Sequence, residues 1–143
     1  MGTPRTLLEQ LLRDEGEVLH AYQDSRTFWT IGVGRLIDKR KGGGISHDEA
    51  MHLLDNDIAK VRGAVMARFP WAVDIDPVRL DVLHAMCFQM GIVGLAGFKT
   101  TLRMVEAGQY SAAAKQMLKS LWAKQTPERA QRLARQMETG ERQ

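Results

Sequence analysis

The chain has 143 residues, of which 44% are apolar and 26% charged, with a single cysteine, Cys87. These figures exclude intrinsic disorder, collagen-like repeats and a disulfide-stapled miniprotein, and fit one compact domain or two small lobes sharing a core. The formal net charge of +3 favours a polyanionic partner such as nucleic acid, anionic lipid or bacterial cell wall, without choosing among them.

The first segment reads as a helix. Thr3 before Pro4 is a candidate N-cap with proline at the first helical position, and Leu7, Leu8, Leu11 and Leu12 follow at helical spacing. Gly16 supplies an end, since glycine accepts backbone angles that other residues avoid. Arg5, Glu9 and Arg13 interrupt the apolar pattern, so the segment does not read as a signal peptide. No uncharged apolar run approaches the ~20 residues that span a bilayer.

From Val18 to Ile37 the texture is β-branched and aromatic. Phe28, Trp29, Thr30, Ile31 and Val33 are interleaved with Gly32 and Gly34, and Asp24 and Ser25 bring turn chemistry. A small hairpin or three-stranded sheet is expected, followed by a loop at Lys39–Gly44. Ser46 and Glu49 then form a capping box that opens a long helix carrying Met51, Leu54, Ile58, Val61 and Val65, with Pro70 just past its end. A second apolar helix is expected over Val78–Met90, then a glycine-bearing connection with Gly91, Gly94 and Gly97. Those glycines are either turn residues or a hinge. Three shorter helices should follow, about Lys99–Ala107, Ser111–Ala123 and Pro127–Met137. Trp29, Trp71 and Trp122 read as packing residues.

Several chemistries fail on spacing. The four histidines show no paired ligand motif, so a structural zinc site is not expected. No serine sits in a nucleophile elbow, and Gly32-Val33-Gly34 falls short of a dinucleotide fingerprint. Carboxylates remain. Glu15 falls in the last turn of the first helix, where the negative end of the helix dipole favours the protonated acid, and any burial would act in the same direction. Asp24 lies nine positions on, across a chain reversal, in a polar turn that leaves it ionised. Two carboxyls in contrasting environments are what a glycosidase requires. Seventeen acidic residues give many such pairs, most of them surface charge, so spacing alone leaves both readings open.

The wider pattern is more specific. Arg13-Asp14-Glu15-Gly16, Ala21-Tyr22-Gln23-Asp24 and Thr30-Ile31-Gly32-Val33-Gly34 closely resemble the signature of phage-type lysozymes, the muramidases of glycoside hydrolase family 24. The likeness continues through Phe88-Gln89-Met90-Gly91, Gly94 to Phe98, Leu102-Arg103-Met104, Trp122, and Gln125-Thr126-Pro127. It covers nearly the whole chain. It implies an α+β, mainly α, lysozyme-like domain over residues 1–143, with a small β lobe over about 14–60 joined by the long helix to a helical lobe over 61–143. The helix over 3–15 would pack against that helical lobe.

By the same resemblance, Glu15 is the general acid, Asp24 the second catalytic carboxylate, and Thr30 the threonine that helps hold the attacking water. Leu36, Phe88 and Gln89 would line the sugar cleft, although core packing serves Leu36 and Phe88 equally well. Thr101 and Gln116 stand at positions of serine and asparagine contacts in the T-even phage member. Arg129 matches an arginine that pairs with the general acid, where its charge would oppose the helix dipole. Two departures stand out. Arg35 replaces a histidine that pairs with an aspartate matched by Asp57, so an Arg35–Asp57 pair is expected, lacking the histidine titration. The Lys39–Gly44 loop is also shorter than in the T-even member.

The resemblance implies a cofactor-free endolysin that cleaves the β-1,4 bond between N-acetylmuramic acid and N-acetylglucosamine with inversion. It would act as a monomer, held in the host cytoplasm until a holin opens the way to periplasmic peptidoglycan. A competing class is a membrane-active protein. Lys115, Lys119, Lys124, Arg129, Arg132 and Arg135, interleaved with Leu118, Leu121 and Leu133, would meet anionic membrane or lipopolysaccharide without catalysis. Nucleic-acid binding rests on charge alone, without aromatic interleaving, and is not expected.

Overall fold

The computed structural model describes residues 6–23, 25–33, 35–36 and 44–143. The expected Thr3–Pro4 cap, Asp24, Gly34 and most of the Lys39–Gly44 loop lie outside the described residues. The chain divides into two compact units, Met1–Leu53 and Leu54–Gln143.

In the first unit, α1 (Leu7–Glu15) is capped by Thr6, whose side chain accepts the Glu9 amide at 3.1 Å. The cap is therefore three residues later than Thr3. Glu9 supplies an acidic residue in the first turn, where helix dipole and cap reinforce each other. Gly16 ends α1 with φ +71 and ψ 166, a region open essentially to glycine, and its amide bonds the Leu12 carbonyl at 3.0 Å. That geometry turns the chain straight into a strand.

Three antiparallel strands follow in sequential order: β1 (Val18–Gln23), β2 (Trp29–Gly32) and β3 (Arg35–Leu36). Tyr22 pairs with Thr30 and Gln23 with Trp29, and the register shifts between Val18 and Tyr22. On the other side of β2, Thr30 pairs with Leu36 and Ile31 with Arg35. The expected small sheet is thus three-stranded.

The capping box forms at the start of α2 (His47–Arg68). Ser46 Oγ accepts the Glu49 amide at 3.2 Å and donates to the Glu49 carboxylate at 3.0 Å. This 22-residue helix begins in the first unit and continues into the second. A 3-10 turn over Pro70–Asp74 leads to α3 (Pro77–Ala96), capped by the Asp76 carboxylate on the Arg79 amide at 3.0 Å. By length and apolarity α3 could be taken for a membrane span. Arg79 and Asp81 lie in its early turns, and Val82, Leu83, Met86, Cys87 and Leu95 are buried in the core of this unit.

Gly91, at φ +79 and ψ 166, breaks α3 into two stretches. The segment beyond it, expected as a turn-rich connection, is therefore largely helical. Next come α4 (Lys99–Glu106), α5 (Tyr110–Leu118), α6 (Leu121–Gln125) and α7 (Pro127–Thr139). The expected single helix over Ser111–Ala123 is two, because Ser120 leaves α5 and caps α6 through the Ala123 amide at 3.1 Å. Val65, Leu83, Met86, Leu95, Met117 and Met137 are among the large, fully buried side chains of this unit's core. A buried core of this size is the main favourable contribution to its folding.

Arg79 fixes the end of α7. It donates to the carbonyls of Met137 (2.7 Å) and Glu138 (2.9 Å), bonds Asp76 at 3.1 Å, and stacks over Tyr110 at 4.0 Å. Two of the orphan carbonyls of the α7 C-terminus are thereby satisfied from α3.

Candidate active site

Glu15 is the last residue of α1, exposed, immediately before the glycine that redirects the chain. The burial that would have reinforced the helix dipole is absent. β1 then runs to Gln23, which directly precedes Asp24 in the sequence. Two residues back from Asp24, Tyr22 pairs across the sheet with Thr30. Thr30 is only 4% exposed, and its hydroxyl donates to the Phe28 carbonyl at 3.2 Å, which fixes its rotamer and leaves its lone pairs for a further donor. Leu36, at the surface of β3, is the opposite cross-strand neighbour of Thr30. The sheet thus brings Thr30 and Leu36 together and sets Thr30 in register with the end of β1.

Arg35 has a different partner from the one expected. Its guanidinium bonds the Glu49 carboxylate at 2.5 Å, while Asp57 stands exposed two turns further along α2 with no ion pair among the described residues. The capping box explains the choice: Ser46 already orients the Glu49 carboxylate at the helix start, so Arg35 meets an acceptor in place. Hydrogen bonds from Arg35, then Ser46, hold the Glu49 carboxyl below the usual carboxylate range.

The other candidates belong to the second unit and fall into two groups. Phe88, nearly half exposed, and Arg129 line one cavity of about 400 Å³, together with Asp81, His84 and Arg142. In it Asp81 bonds His84 Nδ1 at 3.0 Å and Arg142 at 2.6 Å. Burial alone would push the Asp81 carboxyl up, but the hydrogen bonds from His84 and Arg142 outweigh it and hold it below its ordinary value. His84 Nε2 is buried without a partner among the described residues. Sequence reading missed this trio, although the i,i+3 spacing of Asp81 and His84 was a local signal for half of it.

Thr101 and Gln116 share a second cavity, of about 460 Å³. Gln89 is joined to that group indirectly. Its Oε1 accepts the indole N–H of Trp122 at 2.9 Å, and Trp122 lines the same cavity and meets Phe98 edge-on at 6.1 Å. Trp122 is thus the packing residue expected, with an added polar tie. Among the described residues no group of three His, Cys, Asp or Glu side chains is placed to hold a metal ion.

A small antiparallel sheet after a short helix, a long helix, and a helical unit built on α3 define a lysozyme-like protein of α+β, mainly α, class. The chain matches the phage lysozyme family over residues 13–139 and belongs to it; a peptidoglycan-hydrolase role goes with that membership. It is 27% identical to "Probable T4-type lysozyme 1" of Dictyostelium discoideum, over 94% of this chain and 95% of that protein. It is 34% identical to the "Endolysin" of Salmonella phage P22, over 82% of this chain and 80% of that protein. It is also 31% identical to the "Pre-baseplate central spike protein Gp5" of Enterobacteria phage T4, over 94% of this chain but 28% of that protein.

Proposed function

We propose that the chain is an inverting muramidase that cleaves the β-1,4 bond between N-acetylmuramic acid and N-acetylglucosamine. The observation that carries the reading is the position of Glu15: an exposed carboxyl at the C-terminal end of α1, delivered by Gly16 to the start of the strand that leads to Asp24. Its exposure leaves the carboxyl within reach of a glycosidic oxygen to which it can donate a proton. Glu15 protonates the leaving oxygen. Asp24 takes a proton from water on the opposite face of the sugar, and Thr30, held by Phe28, positions that water. Inversion calls for carboxyls roughly 6.5–9.5 Å apart, room for one water between acid-flanked sugar and base.

The biological setting we propose is that of an endolysin acting as a monomer, kept in the host cytoplasm and passed by a holin to periplasmic peptidoglycan. The similarity to the phage P22 endolysin over most of both chains supports it. Proton NMR of the first anomer released from purified glycan tests the chemistry. An initial α-anomer is expected; a β-anomer overturns inversion, and an anhydro-sugar makes the enzyme a lytic transglycosylase.

A second reading has one observation in its favour. Leu118 and Leu121 are exposed, at 45% and 69%, among the exposed Lys115, Lys119 and Lys124. Such a basic, apolar surface suits anionic membrane or lipopolysaccharide. Glu15→Gln protein separates the two readings: killing of permeabilised cells should vanish for a muramidase and persist for a membrane-active protein.

A further inference from the structure

β3 is the outer strand of the sheet and two residues long, so its place beside β2 rests on Arg35 opposite Ile31 and Leu36 opposite Thr30. Sheets this small are marginal by themselves and need an anchor outside the strands. Glu49 is that anchor. Its carboxylate takes the Arg35 guanidinium at 2.5 Å and the Ser46 hydroxyl at 3.0 Å, so the contact from β3 ends on a group already fixed at the start of α2. Arg35, Ser46 and Glu49 all belong to the first unit.

Successive side chains of a strand point to opposite faces, and directly paired residues share a face. While Arg35 reaches Glu49 on one side, Leu36 therefore stands on the other, beside Thr30. Thr30 is 4% exposed in a sheet whose flanking strands are mostly at the surface. Where β3 lies thus decides how well Thr30 is covered, and how firmly its hydroxyl stays on the Phe28 carbonyl. An ion pair as open as this one, with Arg35 62% exposed, adds little to global stability. Its effect is local.

We infer that Arg35 and Glu49 are positioning residues for the hydrolysis, pinning β3 so that Thr30 stays set for the attacking water, an inference that rests on the muramidase reading above. They act through Thr30 and leave substrate binding alone. Loss of the pair should lower kcat and kcat/KM equally, the signature of an interaction that counts only in the transition state.

The test is steady-state digestion of purified wall glycan. Glu49→Gln removes the charge and keeps the capping box, which accepts glutamine as well as glutamate. Glu49→Gln and Arg35→Gln should each lower kcat about fivefold with KM kept within about twofold. The double variant should fall no further than either single one, because the two residues act as a unit. On the residual rate of Thr30→Val, Glu49→Gln should cost nothing more. The Arg35 bond uses a single guanidinium nitrogen, so Arg35→Lys should keep most of kcat. Asp48→Asn, which removes an exposed charge from the same turn of α2, should match wild type. Near-constant thermal melting shows that the variants fold.

An unchanged kcat for Glu49→Gln overturns the inference, as does an equal loss with Asp48→Asn. So does the same fold loss with Thr30 and with Thr30→Val, which would make the pair a general support of the fold. A raised KM with kcat kept overturns it too, and assigns the clamp to Leu36 and substrate binding. Wild type inert on wall glycan sinks the muramidase reading itself, and this inference with it.

Discussion

Trp122 gives its indole N–H to Gln89 across 2.9 Å, joining α6 to α3 over 33 residues of sequence. Trp122 is 8% exposed, whereas Gln89 reaches the surface. Removing the acceptor therefore strands a donor with little access to water. Gln89→Ala should lower stability by about 1–2 kcal/mol in urea denaturation, the cost of an unsatisfied buried donor. Unchanged stability would leave Gln89 with a role at the surface only.

Glu15→Gln should cut wall digestion by a factor on the order of 10² or more, with melting temperature unchanged, since the side chain is exposed and the substitution keeps its shape. Turbidity loss of permeabilised cells and circular dichroism measure the two sides.

Thr30→Val replaces a buried hydroxyl by a methyl of the same size. The bond to the Phe28 carbonyl is lost, at a stability cost of about 1 kcal/mol. Activity should fall much further than that cost explains, because the water-positioning oxygen is gone. Steady-state kinetics beside denaturation of the same variant checks the contrast.

Gly16→Ala meets no steric neighbour, as nothing lies within 4 Å of the added methyl. The penalty comes from φ +71 with ψ 166, a region that costs a non-glycine residue on the order of 1–3 kcal/mol. Relaxation of that strain moves Glu15, so kcat should drop together with stability, and kinetics with thermal melting would show both.

Asp81 sets an acid limit on stability. Its folded carboxyl is held below the ordinary value, so the folded state releases its proton more readily than the unfolded chain. The resulting stability is present above the unfolded value, about 4, and is lost as pH falls through the lower, folded one. Asp81→Asn should be less stable than wild type by roughly 1 kcal/mol at pH 7, a modest figure because Arg142 is largely exposed. The gap should narrow as pH falls below about 4, as denaturation across an acidic pH series would reveal.

Much of the secondary structure is written locally. Ser46 and Glu49 mark the start of α2, Pro77 and Pro127 stand at first helical positions, and the apolar spacing of α3 announces a core helix. The end of α1 at Glu15 and the strand that holds Thr30 are legible in the same way, through the helix-end glycine and the β-branched run, whereas the roles proposed for both residues come from the family resemblance. The errors also have local causes. Thr3 and Thr6 are both good caps, and the acidic Glu9 favours the second. Ser120 falls inside the single helix expected over Ser111–Ala123, although serine caps readily.

Partnerships between distant residues are another matter. Arg35 takes Glu49 in place of Asp57, Gln89 takes Trp122, and Arg79 reaches the carbonyls closing α7. Caps and helical periods are fixed by neighbours within about four residues, so the chain itself determines them. Which charge meets which depends on how the elements pack. Many pairings satisfy the same local rules, and only the packed structure, in which buried polar groups need a partner in reach, selects among them.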